Sequence, residues 1–309
     1  MQKTITLIGF GNQAKAWAMN LKDSGWNVRV ALKSESASIA IAQGMGFETV
    51  TLEQASQCAD NFANLTPDHL HHDVLKGIKF ATGSRLIFAH GYSIESQLIS
   101  PTQHNATALL FAPKAIASEL RFLYETKGKL AAVYSVEFSA NAEHDRAWLM
   151  QLAEGLGINA GPYPASFEHE TKADLFSEQS ILCSVLPRAA ERSFQLLRDK
   201  GISEELAYLE CWYEMKLIAN TLVKMGPSAF FKLISPNAML GGYEADKLLF
   251  DKAYQNKLET LFEGIDRGTF YKQAKAADFQ LLRQSIEDDW NACSLEKAHQ
   301  RLKSELFGD

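Results

Sequence analysis

Cysteine is scarce in this sequence, with four residues in a chain of 309. They are Cys58, Cys183, Cys211 and Cys293, which lie far apart and form no C-x-x-C pair. This spacing argues against a disulfide framework and against a thiolate zinc site. We therefore expect the thiols to fill the core of a protein that works in a reducing compartment.

Long apolar runs and basic runs are also missing. No stretch approaches the roughly 20 residues of a membrane-spanning helix, and the first residues lack the apolar segment of a signal peptide. The chain has 31 Lys and Arg against 37 Asp and Glu, a formal net charge of −6. Nucleic acid and anionic membranes are therefore not expected partners. We expect a cytoplasmic protein with about two domains.

Apolar runs alternate with helical patterns over the first half of the chain, which predicts a parallel sheet covered on both faces. The predicted strands are 5–8, 28–32, 85–89, 106–111 and 130–136, with amphipathic stretches at 14–22 and 38–43. After about residue 165 helical periodicity prevails, over 168–199, 203–225, 246–264 and 270–306. Gly161-Pro162-Tyr163-Pro164 interrupts both patterns. We predict an α/β domain, residues 1–163, and an all-helical domain, residues 164–309.

A glycine-rich turn follows the first predicted strand and opens a helix. Gly9, Gly11 and Ala14 form the pattern G-x-G-x-x-A, an accepted form of the dinucleotide-binding fingerprint, in which backbone approaches the pyrophosphate closely. The helix N-terminus would supply N–H donors to the phosphates. We therefore predict a Rossmann-type, doubly wound parallel sheet. The expected cofactor contacts in this turn are Gly9, Phe10, Gly11, Asn12 and Gln13.

The end of the second predicted strand bears on the choice of cofactor. Lys33, Ser34, Ser36 and Ser38 could neutralise and hydrogen-bond the 2′-phosphate of NADPH. A carboxylate that faces the ribose would instead favour NAD, and Glu35 lies in the same segment. NADPH is the preferred hypothesis, with NAD as the alternative.

Two pairs of carboxylates occur at helical spacing in the second half. Asp174 and Glu178 are four residues apart, as are Glu210 and Glu214, and both pairs lie among apolar residues. Carboxylates that are partly buried need a compensating cation, and oxygen ligands suit Mg²⁺. Four carboxylates from two helices could hold two such ions. Ordinary acids on surface helices explain the same spacing equally well.

Three histidines, His69, His71 and His72, follow Pro67 and Asp68 at a predicted helix start. No carboxylate or cysteine at metal-ligand spacing accompanies them. We interpret them as a solvated helix surface.

Several segments resemble ketol-acid reductoisomerase, in order and over nearly the whole chain. The two acidic helices, 170–179 and 210–218, are the most specific part of the resemblance. The other matching segments are the turn 9–14, Leu65-Thr66-Pro67-Asp68, Phe88-Ala89-His90-Gly91, Ala112-Pro113-Lys114 and Ile234-Ser235-Pro236-Asn237-Ala238.

The resemblance implies an NADPH- and Mg²⁺-dependent enzyme of branched-chain amino acid biosynthesis. Such an enzyme shifts an alkyl group in a 2-hydroxy-3-keto acid, such as 2-acetolactate, and then reduces the rearranged keto acid. The four carboxylates would bind two Mg²⁺ ions, with Glu214 also placed for proton transfer. His90 and Lys114 would line the catalytic site, Pro67 and Asp68 the cofactor side, and Ser235 and Ala238 would contact the substrate carboxylate.

The short form of this family has a knotted helical domain and interlocked subunits. The resemblance therefore implies a homodimer in which Glu210, Glu214 and Ser235 enter each site from the partner chain.

The chain also departs from the family pattern in loops that shape the substrate pocket. Residues 115–119 replace a loop rich in glycine and proline, and Ser184 and Val185 replace two glycines. Pro236, Asn237, Met239 and Leu240 alter the serine loop. Two alternatives remain open: a 2-keto-acid reductase that does not isomerise, and a catalytically silent dinucleotide-binding paralogue.

Overall fold

A computed structural model describes residues 3–57, 60–102 and 105–308, so that Cys58 lies outside the described residues. The chain forms two compact units, Met1–Ala173 and Asp174–Asp309. The boundary between them falls within one helix, C-terminal to the division predicted from Gly161 to Pro164.

The first unit is built on an eight-stranded sheet with the strand order β3-β2-β1-β4-β5-β6-β7-β8. Strands β1 to β6 are parallel, and β7 pairs with β6 in the antiparallel direction. The strands are β1 (Thr4–Ile8), β2 (Asn27–Leu32), β3 (Glu48–Thr51), β4 (Asn61–Asn64), β5 (Arg85–Phe88), β6 (Thr107–Pro113), β7 (Ala131–Ser135) and β8 (Ala160–Pro164). The predicted doubly wound sheet is confirmed.

The apolar runs indicated five of these eight strands but not β3, β4 or β8. Strands β3 and β8 lie at the two edges of the sheet, where one side of each strand has no neighbouring strand. Strand β4 is an inner strand of only four residues. Strand β8 contains Pro162 and Pro164, which an edge strand tolerates because fewer of its N–H groups are needed for pairing. The segment predicted to interrupt the sheet pattern is therefore the last strand of the sheet.

Helices cover both faces of this sheet. Successive side chains of a strand point to opposite faces, and accordingly Leu7 belongs to one buried cluster and Ile8 to the other. The first cluster includes Trp17 and Leu149, and the second includes Phe167. The helices are α1 (Asn12–Asp23), α2 (Ser38–Gly44), α3 (Leu52–Ala55), α4 (His71–Leu75), α5 (Tyr92–Glu95), α6 (Ala117–Glu125), α7 (Ala142–Leu156) and α8 (Phe167–Ser177).

The second unit is helical throughout its described residues, as predicted. The helices are α9 (Val185–Asp199), α10 (Glu204–Tyr208), α11 (Glu214–Met225), α12 (Pro227–Phe231), α13 (Pro236–Leu249), α14 (Lys252–Asp266), α15 (Thr269–Ala276), α16 (Phe279–Ala292) and α17 (Ser294–Phe307). Three predicted helices are divided. Asp251 caps α14 and Asp278 caps α16, and residues 183–184 interrupt the predicted helix 168–199 before α9. No described helix is long and apolar enough to cross a membrane.

The buried core of the second unit is small. Phe194, Tyr208 and Leu295 lie at its centre, whereas many large hydrophobic side chains remain at the surface. Val223 is 83% exposed and Leu248 is 78% exposed.

Candidate active site

The glycine-rich turn lies at the carboxyl end of β1, where β1 separates β2 from β4 in the sheet. Gly9 has φ = +93°, and a Cβ atom there would lie 2.7 Å from Cγ2 of Thr66. Both observations require glycine, because other residues rarely adopt this φ and would collide with the next loop. Gly11 is the N-cap of α1. The turn has the conformation and position expected of a dinucleotide site.

A cavity of about 720 Å³ opens beside this turn. It brings together most of the residues predicted to bind the cofactor, from the ends of β1, β2 and β4. The predicted residues in its wall are Gly9, Phe10, Gly11, Lys33, Ser34, Ser36, Ser38 and Pro67. Glu35 lies in the same wall, so the structure retains both the group that favours NADPH and the group that favours NAD.

Three other predicted cofactor residues lie elsewhere. Asn12 and Gln13 form the first turn of α1 and line a neighbouring groove with Ile116 and Arg121. Asp68 faces two histidines at the carboxyl end of β4.

The carboxylate of Glu170 contacts Lys114, Gly91 and His90 in the first unit. Its side chain is 1% exposed. Oε1 accepts a hydrogen bond from Nζ of Lys114 at 2.6 Å, and Oε2 accepts one from the backbone N–H of Gly91 at 2.7 Å. Nε2 of His90 lies 3.7 Å from Oε2. Glu170 therefore joins the loops that follow β5 and β6, and the predicted pair His90 and Lys114 meets at this group.

Glu170 was not among the predicted site residues, although its helix carried a signal. Phe167, Glu170 and Thr171 are all buried on α8, and their spacing places them on one helical face. An acidic residue on the same helical face as a buried phenylalanine indicates a carboxylate that has a partner, because a buried charge without a partner is costly.

Gly91 allows α8 to approach the His90 loop closely. A Cβ atom at position 91 would lie 2.5 Å from Oγ1 of Thr171 and 2.6 Å from the carbonyl oxygen of Phe167. Real Cβ atoms do not approach other atoms at such distances. A glycine after His90 is thus needed for the hydrogen bond between Gly91 and Glu170.

His90 lies between two carboxylates. Its Nδ1 is 3.8 Å from Oδ2 of Asp68, and its ring stacks on Tyr92 with the ring centroids 6.2 Å apart. Burial by itself would raise the pKa of Asp68, but the interactions with His90 and His71 outweigh it and lower that pKa. Burial, with a smaller contribution from the charge of Asp68, raises the pKa of Tyr92. Asp68 is therefore held as a carboxylate that orients the imidazole of His90.

The interpretation of the three histidines as solvated is wrong for His71. His69 and His72 are exposed, but His71 is buried. Its Nδ1 lies 2.6 Å from Oγ of Ser93, and its Nε2 lies 2.8 Å from the carbonyl oxygen of Thr66. Burial lowers the pKa of His71, so the ring is neutral at pH 7.

The four predicted metal ligands belong to helices whose hydrogen bonding is not purely α-helical. Asp174 lies in α8, and Glu178 begins a π-helical turn, Glu178–Leu182. Glu210 lies in a second π-helical turn, Leu209–Tyr213, and Glu214 begins α11. Such turns occur frequently at functional sites, because they redirect the side chains of a helix.

The expected partial burial of these carboxylates is wrong for three of them within a single chain. Asp174 is partly buried, but Glu178, Glu210 and Glu214 are exposed. Some of the neighbouring apolar residues are themselves exposed: Ile181 is 51% exposed and Leu217 49% exposed.

The available donor atoms nevertheless suit a hard cation. Burial and the negative charges of Glu178 and Asp174 raise the pKa of the neighbouring Cys183 thiol. The thiol therefore stays protonated and is a poor metal ligand. Carboxylate oxygens are left as the donors of this region, and Mg²⁺ prefers such oxygens.

The two predicted substrate contacts lie at the start of α13. Oγ of Ser235 accepts a hydrogen bond from the backbone N–H of Ala238 at 3.2 Å and so caps the helix. Both residues are exposed. The N-terminus of α13 presents N–H groups of the kind that bind carboxylates.

Two family models match this chain. The model described as acetohydroxy acid isomeroreductase, NADPH-binding domain, matches residues 1–161, and the ketol-acid reductoisomerase C-terminal domain matches residues 167–306. Among solved structures, an NADH-preferring ketol-acid reductoisomerase from an uncultured archaeon is 26% identical with a TM-score of 0.91, over 99% of this chain and 95% of that one.

More distant structures share the fold alone. A semialdehyde dehydrogenase NAD-binding protein from Cupriavidus necator is 16% identical, with a TM-score of 0.67 over 86% of this chain and 99% of that one. A pyrroline carboxylate reductase from Plasmodium falciparum is 14% identical, with a TM-score of 0.55 over 85% of this chain and 97% of that one.

Proposed function

The chain belongs to the ketol-acid reductoisomerase family, and we propose that it carries out both steps of a reductoisomerisation. An alkyl group of a 2-hydroxy-3-keto acid such as 2-acetolactate moves between carbons, and the rearranged keto acid is then reduced with NADPH. Membership of the family makes the chain an NAD(P)-dependent oxidoreductase. The specific reaction rests on one observation: the buried Glu170 carboxylate that holds Lys114 and the His90 loop together.

This arrangement suits a reaction in which negative charge develops on oxygen. Glu170 keeps the ammonium of Lys114 at the carboxyl end of β6, where its positive charge would stabilise negative charge on a substrate oxygen. Donors fixed in advance stabilise such charge without the cost of reorganising solvent. His90, oriented by Asp68, supplies a further donor. When NADPH is bound it supplies the hydride, and one proton must reach the carbonyl oxygen that becomes the hydroxyl.

We assign two Mg²⁺ ions to Asp174, Glu178, Glu210 and Glu214, because each of these residues offers carboxylate oxygens, which a hard cation prefers. Bound Mg²⁺ would supply Lewis-acid polarisation of the substrate oxygens. Glu214 is also assigned to proton transfer, between the 2-hydroxyl group that loses a proton and the oxygen that gains one.

The metal assignment is tested by titrating Mg²⁺ calorimetrically into the protein and into the variant Glu214→Gln. We expect the variant to bind Mg²⁺ more weakly and to lose isomerisation. Glu205→Gln is the matched control, since Glu205 lies in α10 and pairs with Arg301. Normal Mg²⁺ binding and normal isomerisation in Glu214→Gln would remove Glu214 from the site.

We propose NADPH as the preferred reductant, because Lys33 and three serines line the cavity wall where the 2′-phosphate would lie. Glu35 in the same wall supports NADH instead, and one similar enzyme is described as NADH-preferring.

We further propose a homodimer with shared active sites. The exposed apolar side chains of the second unit, such as Val223 and Leu248, support a large interface there. Glu210, Glu214 and Ser235 would then be supplied to each site by the partner chain.

One experiment separates the proposed function from its alternatives. The protein is mixed with Mg²⁺, NADPH and 2-acetolactate while cofactor oxidation is followed, and the measurement is repeated with the already rearranged keto acid. Turnover of both supports the full reaction. Turnover of the rearranged acid alone supports a reductase that does not isomerise. NADPH binding without any turnover supports a silent paralogue.

A further inference from the structure

The buried side chain of His71 connects two loops that the proposed reaction needs in fixed positions. The loop after β4, residues 65–68, borders the cofactor cavity. The loop after β5 carries His90 and Gly91, and Ser93 follows in the short helix α5. His71 lies between these loops and hydrogen-bonds to both of them.

The two hydrogen bonds determine the tautomer of His71. The carbonyl oxygen of Thr66 can only accept, so Nε2 of His71 must carry the proton and donate it across 2.8 Å. In the neutral ring Nδ1 is then an acceptor, and the hydroxyl of Ser93 donates to it across 2.6 Å. Ser93 is fully buried, so both bonds are shielded from water and hold a single geometry.

Each partner of His71 is itself attached to a functional group. Thr66 packs against the glycine-rich turn, since its Cγ2 lies 2.7 Å from the position of a Cβ atom on Gly9. Thr66 also donates a hydrogen bond from Oγ1 to Oδ1 of Asn64 at 2.8 Å. On the other side, Ser93 follows Gly91, whose N–H is bound by Glu170. A continuous series of contacts thus runs from the cofactor turn to the Glu170 carboxylate.

We propose that His71 is a positioning residue that fixes the cofactor-bearing loop relative to the His90 loop. It does not contact the reacting atoms in this arrangement; it sets the distance between the groups that do. The inference rests on the proposed function, and it predicts that loss of His71 impairs hydride transfer more than it impairs cofactor binding.

The test uses three variants of the full chain and one control. His71→Leu removes both hydrogen bonds, Ser93→Ala removes one, and His71→Gln keeps a donor and an acceptor in a side chain of similar length. His72→Gln is the matched control, because His72 is exposed on the same helix. The measurements are kcat and KM for reduction of the rearranged keto acid, Kd for NADPH from fluorescence, and the melting temperature.

We expect kcat of His71→Leu to fall by about 10- to 100-fold while Kd for NADPH changes by no more than about threefold, since small misplacements of reacting groups slow chemistry strongly. His71→Gln should restore most of the lost kcat, and Ser93→Ala should lower kcat without a matching loss of melting temperature. Unchanged kcat in both His71→Leu and Ser93→Ala would overturn the proposal. So would a loss in His71→Leu that His71→Gln does not repair.

Backbone NMR tests the role of His71 without relying on enzyme turnover. If the series of contacts is continuous, Ser93→Ala should shift the amide signals of Thr66 and Gly9 as well as those near residue 93. Shifts confined to the Ser93 loop would overturn the inference even if the enzyme is active. Absence of turnover in the unmodified protein would instead refute the proposed function and leave the NMR result to decide the role of His71.

Discussion

At the scale of single residues, the Glu170 carboxylate is shared between loops that follow two different strands. Its burial at 1% exposure would be costly without partners. Lys114 and the N–H of Gly91 supply them, although Lys114 is 37% exposed and its ion pair is therefore partly screened by water. The charge of Glu170 thus contributes mainly by fixing positions, and less by the strength of the ion pair.

Replacing Glu170 with Gln should keep the shape of the side chain and remove its charge. We expect kcat to fall by about 100-fold, because Lys114 is no longer held where charge develops. The unfolding free energy should fall by about 1–3 kcal/mol from the weakened hydrogen bonds. Steady-state kinetics and urea unfolding measure the two effects.

Glu168→Gln is the control on the same helix. Glu168 is 51% exposed and pairs with Lys172, so its replacement should leave both quantities almost unchanged. If both variants lowered kcat and the unfolding free energy equally, the loss of any acidic charge on helix α8 would explain the effect. That result would contradict a specific role of Glu170.

At the scale of secondary-structure elements, the first unit depends on the close contact between α8 and the loop after β5. Phe167 buries its ring among the residues of one sheet face, and Glu170 follows one turn later. The helix can approach the loop only because residue 91 has no side chain. Packing of α8 on the sheet and formation of the Glu170 hydrogen bonds are therefore a single structural event.

Gly91→Ala should push helix α8 away from the loop that follows β5. We expect the unfolding free energy to fall by about 1–3 kcal/mol, as is usual when an extra group is forced into a packed interface. Activity should fall with it, because Glu170 loses its hydrogen bond to the loop. Gly44→Ala is the control, since a Cβ atom there meets no other atom within 4 Å. Wild-type stability of Gly91→Ala, measured by thermal unfolding, would contradict this packing.

The loop between β2 and α2 is the element that decides between the two reductants. Lys33→Ala should raise KM for NADPH by about tenfold, the effect of losing one charge-assisted hydrogen bond to a phosphate. KM for NADH should change little. Lys79→Ala, at another exposed lysine, controls for the lost charge. An equal effect of Lys33→Ala on both cofactors would show that Lys33 does not bind the 2′-phosphate.

At the scale of the whole molecule, the two units differ in how completely they bury apolar surface. The first unit has two large clusters on either side of its sheet. The second has one small cluster and leaves side chains such as Leu248 and Leu281 exposed, at 78% and 68%. A stable chain in water should cover such surface, and a second copy of the same unit would do so by symmetry.

Shared active sites predict complementation between two inactive variants. A heterodimer of His90→Ala and Glu214→Gln chains would contain one intact site, formed by His90 of one chain and Glu214 of the other. Random exchange of subunits should therefore restore about a quarter of the wild-type activity. The measurement is activity after the two variants are unfolded together and refolded, with each refolded alone as the control.

No activity in the refolded mixture, with dimers present by light scattering, would show that each chain builds its own site. Leu248→Asp should shift the protein towards a single 34.4 kDa chain. Ile116→Asp, at a comparably exposed position in the first unit, should not change the oligomeric state.

Much of the cofactor region could be predicted from local sequence. Gly9, Gly11 and Ala14 repeat a pattern whose every position has a steric reason, and the turn forms next to the strand that precedes it. The position of the loop with Lys33 and Glu35 could also be predicted, because this loop directly follows a strand that the sequence indicates. Strands β3 and β8 were harder to predict, since edge strands need neither a fully apolar sequence nor a full set of N–H donors.

The resemblance indicated His90 and Lys114 as catalytic candidates, but it did not indicate the contacts that support them. His71 and His72 are adjacent in sequence, yet one is buried and the other exposed. Glu168 and Glu170 differ in the same way on α8. Helical spacing predicts which residues share a face of a helix. It does not predict which loops pack against that face, because those loops come from distant parts of the chain.

The sequence by itself determined the alternation of strands and helices in the first unit, the helical character of the second, the glycine-rich turn and the four carboxylates at helical spacing, because each depends on neighbouring residues. Tertiary structure alone decided that Glu170 binds Lys114 and Gly91, that His71 joins Thr66 to Ser93, and that π-helical turns contain Glu178 and Glu210. Those contacts depend on which strands become neighbours in the sheet and on how closely a helix can approach them. Such long-range packing is a property of the folded chain and is not encoded in any single segment.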